Sequence, residues 1–139
     1  MQARKEKTGW IVVLEKNEEL KATMESWARK ENIEGACVQG IGGITDVELA
    51  AFDLAKNKWV RKRFAECANY ELLSINGNIN KDGLHAHLVI SDLEFKVSGG
   101  HLLSAKISTF GEIFVMPTEA IAKVRLLDAD LKKIDLSKK

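Results

Sequence analysis

Apolar positions along this chain recur mostly in short runs broken by polar turns, and one stretch alone keeps helical spacing. Residues 9–15, Gly-Trp-Ile-Val-Val-Leu-Glu, form a run of strand length. Asn17 is then placed to cap a helix whose first turn carries Glu18 and Glu19 against the positive end of its dipole. Leu20, Met24, Trp27 and Ala28 supply the apolar stripe of that helix. Residues 33–43 read as a β run with small side chains, and beyond Ile44-Thr45-Asp46 the segment 47–52 reads as its hairpin partner. Lys56-Asn57 makes the next turn, 59–64 a basic strand and 70–78 another, and Lys81-Asp82-Gly83 turns directly into a strand over 84–91. Residues 102–115 continue the β pattern, Pro117-Thr118 breaks it, and 122–127 is a last strand or short extended segment. One helix against about seven strands joined mostly by short turns predicts an α+β fold built on an antiparallel sheet.

The chain has 139 residues, one proline, and no linker, repeat or low-complexity stretch, so a single domain over 1–139 is expected, with a core at 8–128 and charged tails at both ends. Twenty-one Lys plus Arg stand against twenty Asp plus Glu, which leaves no overall field to draw the protein onto nucleic acid or an anionic membrane. Any such contact must be local. The first residues are charged rather than apolar, and no run approaches the length of a membrane span. Cys37 and Cys67 lie in apolar surroundings without CxxC spacing, which predicts buried, reduced thiols and a cytoplasmic location.

All three histidines fall between positions 85 and 101: His85-Ala86-His87, then Gly99-Gly100-His101. Residues i and i+2 of a strand share a face, so His85 and His87 present two imidazoles side by side. A hairpin can bring the third. A two-residue loop at Asp92-Leu93 sets His85 opposite Gly100 and turns His101 away, whereas a bulge at Gly99-Gly100 adds the residue that brings His101 opposite His85. Three neutral imidazoles with an open fourth position are the usual arrangement of catalytic zinc, and nickel, copper or iron accept them too. Spacing alone leaves a second reading open, in which the histidines line a polar strand face and touch only water.

Glu112, on the run beyond His101, and Glu71, on the strand before the histidine hairpin, are the candidates for a general acid or base, each against the plainer role of a solvent-facing glutamate. Lys58, Arg61 and Arg63 in the basic strand are the candidate nucleic-acid contacts, with Arg61 and Arg63 on one face and Lys62 on the other. The alternative there is an edge strand whose charges discourage sheet-to-sheet aggregation, with Trp59 as a core or interface anchor. Gly40-Ile41-Gly42-Gly43 lacks the strand, loop and helix order of a phosphate loop and fits a bulge or a close contact.

Taken in order, Gly40-Ile41-Gly42-Gly43, Glu71-Leu72-Leu73-Ser74-Ile75-Asn76-Gly77, Gly83-Leu84-His85-Ala86-His87, Gly99-Gly100-His101 and Thr109-Phe110-Gly111-Glu112-Ile113 resemble the plants and prokaryotes conserved (PPC) domain over nearly the whole chain. The resemblance implies a homotrimeric α+β subunit with a fold similar to that of acetolactate decarboxylase. It also implies a DNA-associated regulatory role, because plant members follow AT-hook segments and prokaryotic members are commonly described as DNA-binding. This chain has no Arg-Gly-Arg-Pro hook to read a minor groove. By the same resemblance His85, His87 and His101 hold a divalent metal, zinc first. A zinc-dependent lyase or hydrolase acting on a small carbonyl or ester is the competing expectation, and a structural or partner-binding trimer the third.

Overall fold

The two-residue period of the pleat decides what each strand buries, and it holds through the middle of the sheet. Leu84, Ala86, Leu88 and Ile90 point into the core from one strand, as do Ala36 and Val38, and Ile113 and Val115, from two others. The computed structural model describes residues 1–126 and 131–137. Along them run β1 (Gln2–Glu6), β2 (Gly9–Glu15), α1 (Leu20–Lys30), β3 (Ala36–Asp53), β4 (Lys58–Arg63), β5 (Tyr70–Asn80), β6 (Gly83–Ser91), β7 (Val97–Pro117), β8 (Lys123–Arg125) and β9 (Lys132–Ile134). Seven strands form an antiparallel sheet in the order β1-β2-β7-β6-β5-β3-β4. Because β7 also pairs with β3, the strands β3, β5, β6 and β7 close into a ring of hydrogen-bonded neighbours. β8 and β9 make a separate two-stranded ribbon.

Helix α1 packs on β7 and β6 through Leu20, Met24, Trp27 and Ala28, the stripe expected from their spacing. Burial of each large side chain of this kind stabilises by about 1.5–3 kcal/mol. Its cap is Glu19 rather than Asn17: the Glu19 carboxylate accepts from the Ala22 N–H and from the Ala105 N–H of β7. Asn17 instead takes a left-handed conformation (φ 72°) in the turn before the helix and donates its N–H to the Ile107 carbonyl. Asparagine tolerates that geometry, so the turn consumes two more residues than a direct cap would. Glu18 and Glu19 therefore precede the first turn rather than belonging to it.

Residues 33–43 and 47–52 do not form a hairpin. They belong mostly to the single strand β3, whose register against β5 and β7 shifts at Gly40/Gly42, Gly42/Ile44, Thr45/Glu48 and Glu48/Leu49. These irregularities bend the strand without reversing it, so its first half pairs with β5 and its second with β4. The Gly40–Gly43 stretch is thus strand backbone, and a Cβ on Gly40 would stand 2.3 Å from the Glu112 carbonyl oxygen of β7. The charged start is likewise a strand, β1, fully exposed on one sheet edge, and the charged end supplies β9. Leu127, the expected end of the last strand, lies outside the described residues. Both cysteines are exposed, contrary to the expected burial: Cys37 alternates outward between Ala36 and Val38, and Cys67 sits in the β4–β5 loop at φ 57°. No helix among the described residues is long and apolar enough to cross a membrane.

Candidate metal centre

On β6 the inward residues Leu84, Ala86 and Leu88 fix the strand in the core, which leaves His85 and His87 together on the other face. His101, on β7, stands directly opposite His87 of β6 and opposite Ala50 of β3. The three ring centroids are 5.1–5.5 Å apart, and one nitrogen from each ring lies within 4.8 Å of the other two.

The convergence comes from the loop rather than from a glycine bulge. Residues 92–96 connect the strands, and Asp92 organises them: its carboxylate accepts from the N–H groups of Glu94 (2.9 Å) and Lys96 (3.0 Å), while Phe95 turns left-handed at φ 62°. This longer loop gives regular pairing of Ser91 with Val97, Val89 with Gly99 and Leu88 with Gly100, so His101 meets His87 and not His85. The glycines serve close approach. A Cβ on Gly100 would lie 2.9 Å from the Ala50 carbonyl oxygen where β3 crosses, and one on Gly99 would lie 2.8 Å from that of Leu88.

The donor set suits a metal. His101 Nδ1 is buried and has no hydrogen-bond partner, an arrangement that costs free energy unless something else accepts its lone pair or proton. Burial, followed by the charges of His85 and His87, pushes the His101 imidazole down to about 4. Burial also lowers His85, with Lys123 and His87 adding to it. These two rings are therefore neutral at neutral pH, the state in which imidazole is a ligand.

The histidines open onto a cavity of about 650 Å³. Trp59 of β4 stacks tilted on His101 at 4.9 Å between ring centroids, and Phe52 meets Trp59 edge-on at 5.3 Å. The expected anchor is thus a cavity wall. Asn80, Asp82, Lys123, Arg125 and Lys132 complete the polar lining. These five are scattered along the chain and form no motif in it. Only the asparagines left a signal, alternating at 76, 78 and 80 so that Asn76 falls opposite His87 and Asn78 opposite His85.

The other candidates lie elsewhere. Glu71 pairs with Ser91 at the far end of β6, Glu112 pairs with Val13 and Ile41, both are exposed, and neither lines the cavity. Lys58, Arg61 and Arg63 are exposed on β4, the sheet edge opposite β1, and Arg63 pairs with Glu48 at 3.2 Å.

The chain is 27% identical over 86 residues to the bifunctional protein GlmU of Synechococcus sp. (strain JA-3-3Ab), a match covering 61% of this chain and 13% of that protein. Among solved structures, a candidate DNA-binding protein of Bacteroides thetaiotaomicron superposes with a TM-score of 0.90 at 24% identity, covering 99% of this chain and 98% of that one. A plant- and prokaryote-conserved protein of Pyrococcus horikoshii gives 0.78 at 27% identity, covering 97% of each chain. A metal-containing protein of Archaeoglobus fulgidus gives 0.80 at 25% identity, covering 96% of this chain and 99% of that one. The family model of the Plants and Prokaryotes Conserved (PCC) domain matches residues 1–119, and the chain belongs to that family.

Proposed function

We propose that this chain is a metal-holding PCC-domain protein that works as a homotrimer in association with DNA, with zinc on His85, His87 and His101. The observation that carries the metal is the buried, unpartnered Nδ1 of His101 inside a cluster of three imidazoles. Zinc suits three neutral nitrogens with a fourth position open to the cavity. The metal-containing neighbour from Archaeoglobus fulgidus supports the same reading. DNA association draws its support from the candidate DNA-binding proteins of Bacteroides thetaiotaomicron and Ralstonia eutropha that share the fold. For the trimer the support is an outward apolar face on β3 and β7, where Ile41, Phe110, Phe114 and Met116 are all about half exposed. A cytoplasmic location goes with this reading.

Metal analysis of protein purified without an affinity tag tests the centre. One zinc per chain is expected, and close to none in the triple variant His85→Ala, His87→Ala, His101→Ala. Unaltered protein that neither carries nor takes up a divalent metal overturns the proposal.

A zinc-dependent lyase or hydrolase acting on a small carbonyl or ester is the second reading, favoured by the open cavity beside the histidines. Bound zinc would polarise a carbonyl or lower the pKa of a water there. A general acid or base is harder to find: among the described lining residues the sole carboxylate is Asp82, and Lys132 holds it at 2.8 Å. For that reason the regulatory reading stands first. Turnover abolished by chelation would reverse the order.

A further inference from the structure

The cavity over the histidines has two unlike walls. One is apolar and aromatic, with Phe52 and Trp59 flanked by Ala50, Ala51 and Leu84. The other comes from the β8–β9 ribbon and is cationic, with Lys123, Arg125 and Lys132. Asp82 neutralises Lys132 at 2.8 Å and ties the ribbon across the opening. A backbone bond from Lys81 N–H to the Ile121 carbonyl joins the start of the ribbon to the β5–β6 turn, and one from Asp135 N–H to the Ala122 carbonyl closes the ribbon on itself.

Lys123 is the member of this wall whose charge has no ion pair among the described residues. Its side chain is partly buried, and burial holds its ammonium below the usual lysine range even with Asp82 nearby. The imidazole side chains add no negative charge on the floor. A metal bound there would keep its two positive charges, because none of its three protein ligands is anionic. A half-enclosed cavity whose described lining carries surplus positive charge, with its one carboxylate, Asp82, already paired to Lys132, favours an anion. The aromatic wall favours an anion with an organic body, since inorganic phosphate would leave Phe52 and Trp59 uncovered. A volume of about 650 Å³ is of the size that takes a small molecule.

We propose that the cavity is a receptor site for a small organic carboxylate, its anionic end set against Lys123 and the histidine-bound metal and its apolar body lying on Trp59 and Phe52. The inference rests on the metal reading above and deepens it: such a ligand is a signal for a regulator. Its specificity is carried by a part of the chain separate from the metal. The histidines lie within residues 1–119 that the family model matches, and the ribbon that brings Lys123 lies beyond them.

Calorimetric titration of the zinc-loaded full chain with 3-phenylpropionate, its neutral amide and inorganic phosphate tests this. The acid is expected to bind about tenfold or more tightly than the amide, the size of effect a charge-assisted contact produces. Lys123→Gln should reduce that preference severalfold while zinc stays at one per chain, and Lys123→Arg should keep it. Quenching of Trp59 fluorescence by the acid gives a second readout, lost in Trp59→Leu. Acid and amide binding alike, undiminished discrimination in Lys123→Gln, or phosphate binding as well as the acid would each overturn the inference and leave the metal reading standing. A chain that takes up no zinc overturns both.

Discussion

β6 and β4 carry the two densest concentrations of chemistry in this chain, and they end very differently. His87 on β6 lies between β5 and β7, so its register is enforced from both sides: Asn76, His87 and His101 stand in one row across three strands, and His85 is held next to them by its pairing with Asn78 of β5. β4 has a neighbour on one side alone, and its charges scatter. Arg63 turns to Glu48, Lys62 sits 4.6 Å above the Phe64 ring, and Arg61 remains in solvent. Clustering in sequence becomes clustering in space only where a second strand returns in register beside the first.

The contrast breaks most severely at the centre of the sheet. Leu88 follows His87, is about 1% exposed, and faces the core beneath the histidine row. Leu88→Ala should cost about 2–5 kcal/mol, the transfer loss plus a cavity, and chemical denaturation at fixed zinc would measure it. Gly77→Ala comes next. Gly77 pairs with Ala86, and a Cβ there would lie 2.1 Å from the His85 carbonyl oxygen, a backbone atom that moves only if β6 moves. A loss of about 1–3 kcal/mol is expected, with zinc affinity falling as His85 shifts. Unchanged melting and unchanged zinc binding in Gly77→Ala would mean that the histidine row tolerates slack, and that the enforced register is not what makes the site.

The pairing of His85 with His87 was readable from their spacing, because period two is a property of any strand. The place of His101 was not, because it depends on a loop length that Asp92 and the left-handed Phe95 set through local hydrogen bonds. A two-residue loop and a five-residue loop put His101 on opposite faces, and the apolar pattern on either side is the same for both. β3 misled for a related reason: Thr45-Asp46 has the composition of a turn, and bulges against β7 absorb it within one strand. Cys37 illustrates the opposite case. Its neighbours Ala36 and Val38 are buried, so strict alternation already placed it outside, and apolar surroundings along the chain said nothing about the face. Lys123 had no readable signal, since the cavity it lines joins segments far apart in sequence.

The smallest effect belongs to the edge. Changing Arg61 and Arg63 to alanine should alter stability by no more than about 0.5–1 kcal/mol, because both side chains are exposed and the Arg63–Glu48 pair is open to solvent. What should change is DNA binding. If both arginines meet phosphates, the double variant binds a duplex more weakly at every sequence tried, and its salt dependence becomes shallower by about two released counterions. Fluorescence anisotropy at several salt concentrations measures that slope. An unaltered slope would remove β4 from the DNA interface and leave its charges the task of keeping a bare strand edge from pairing with another sheet, in which case the double variant should aggregate on heating where the unaltered chain does not.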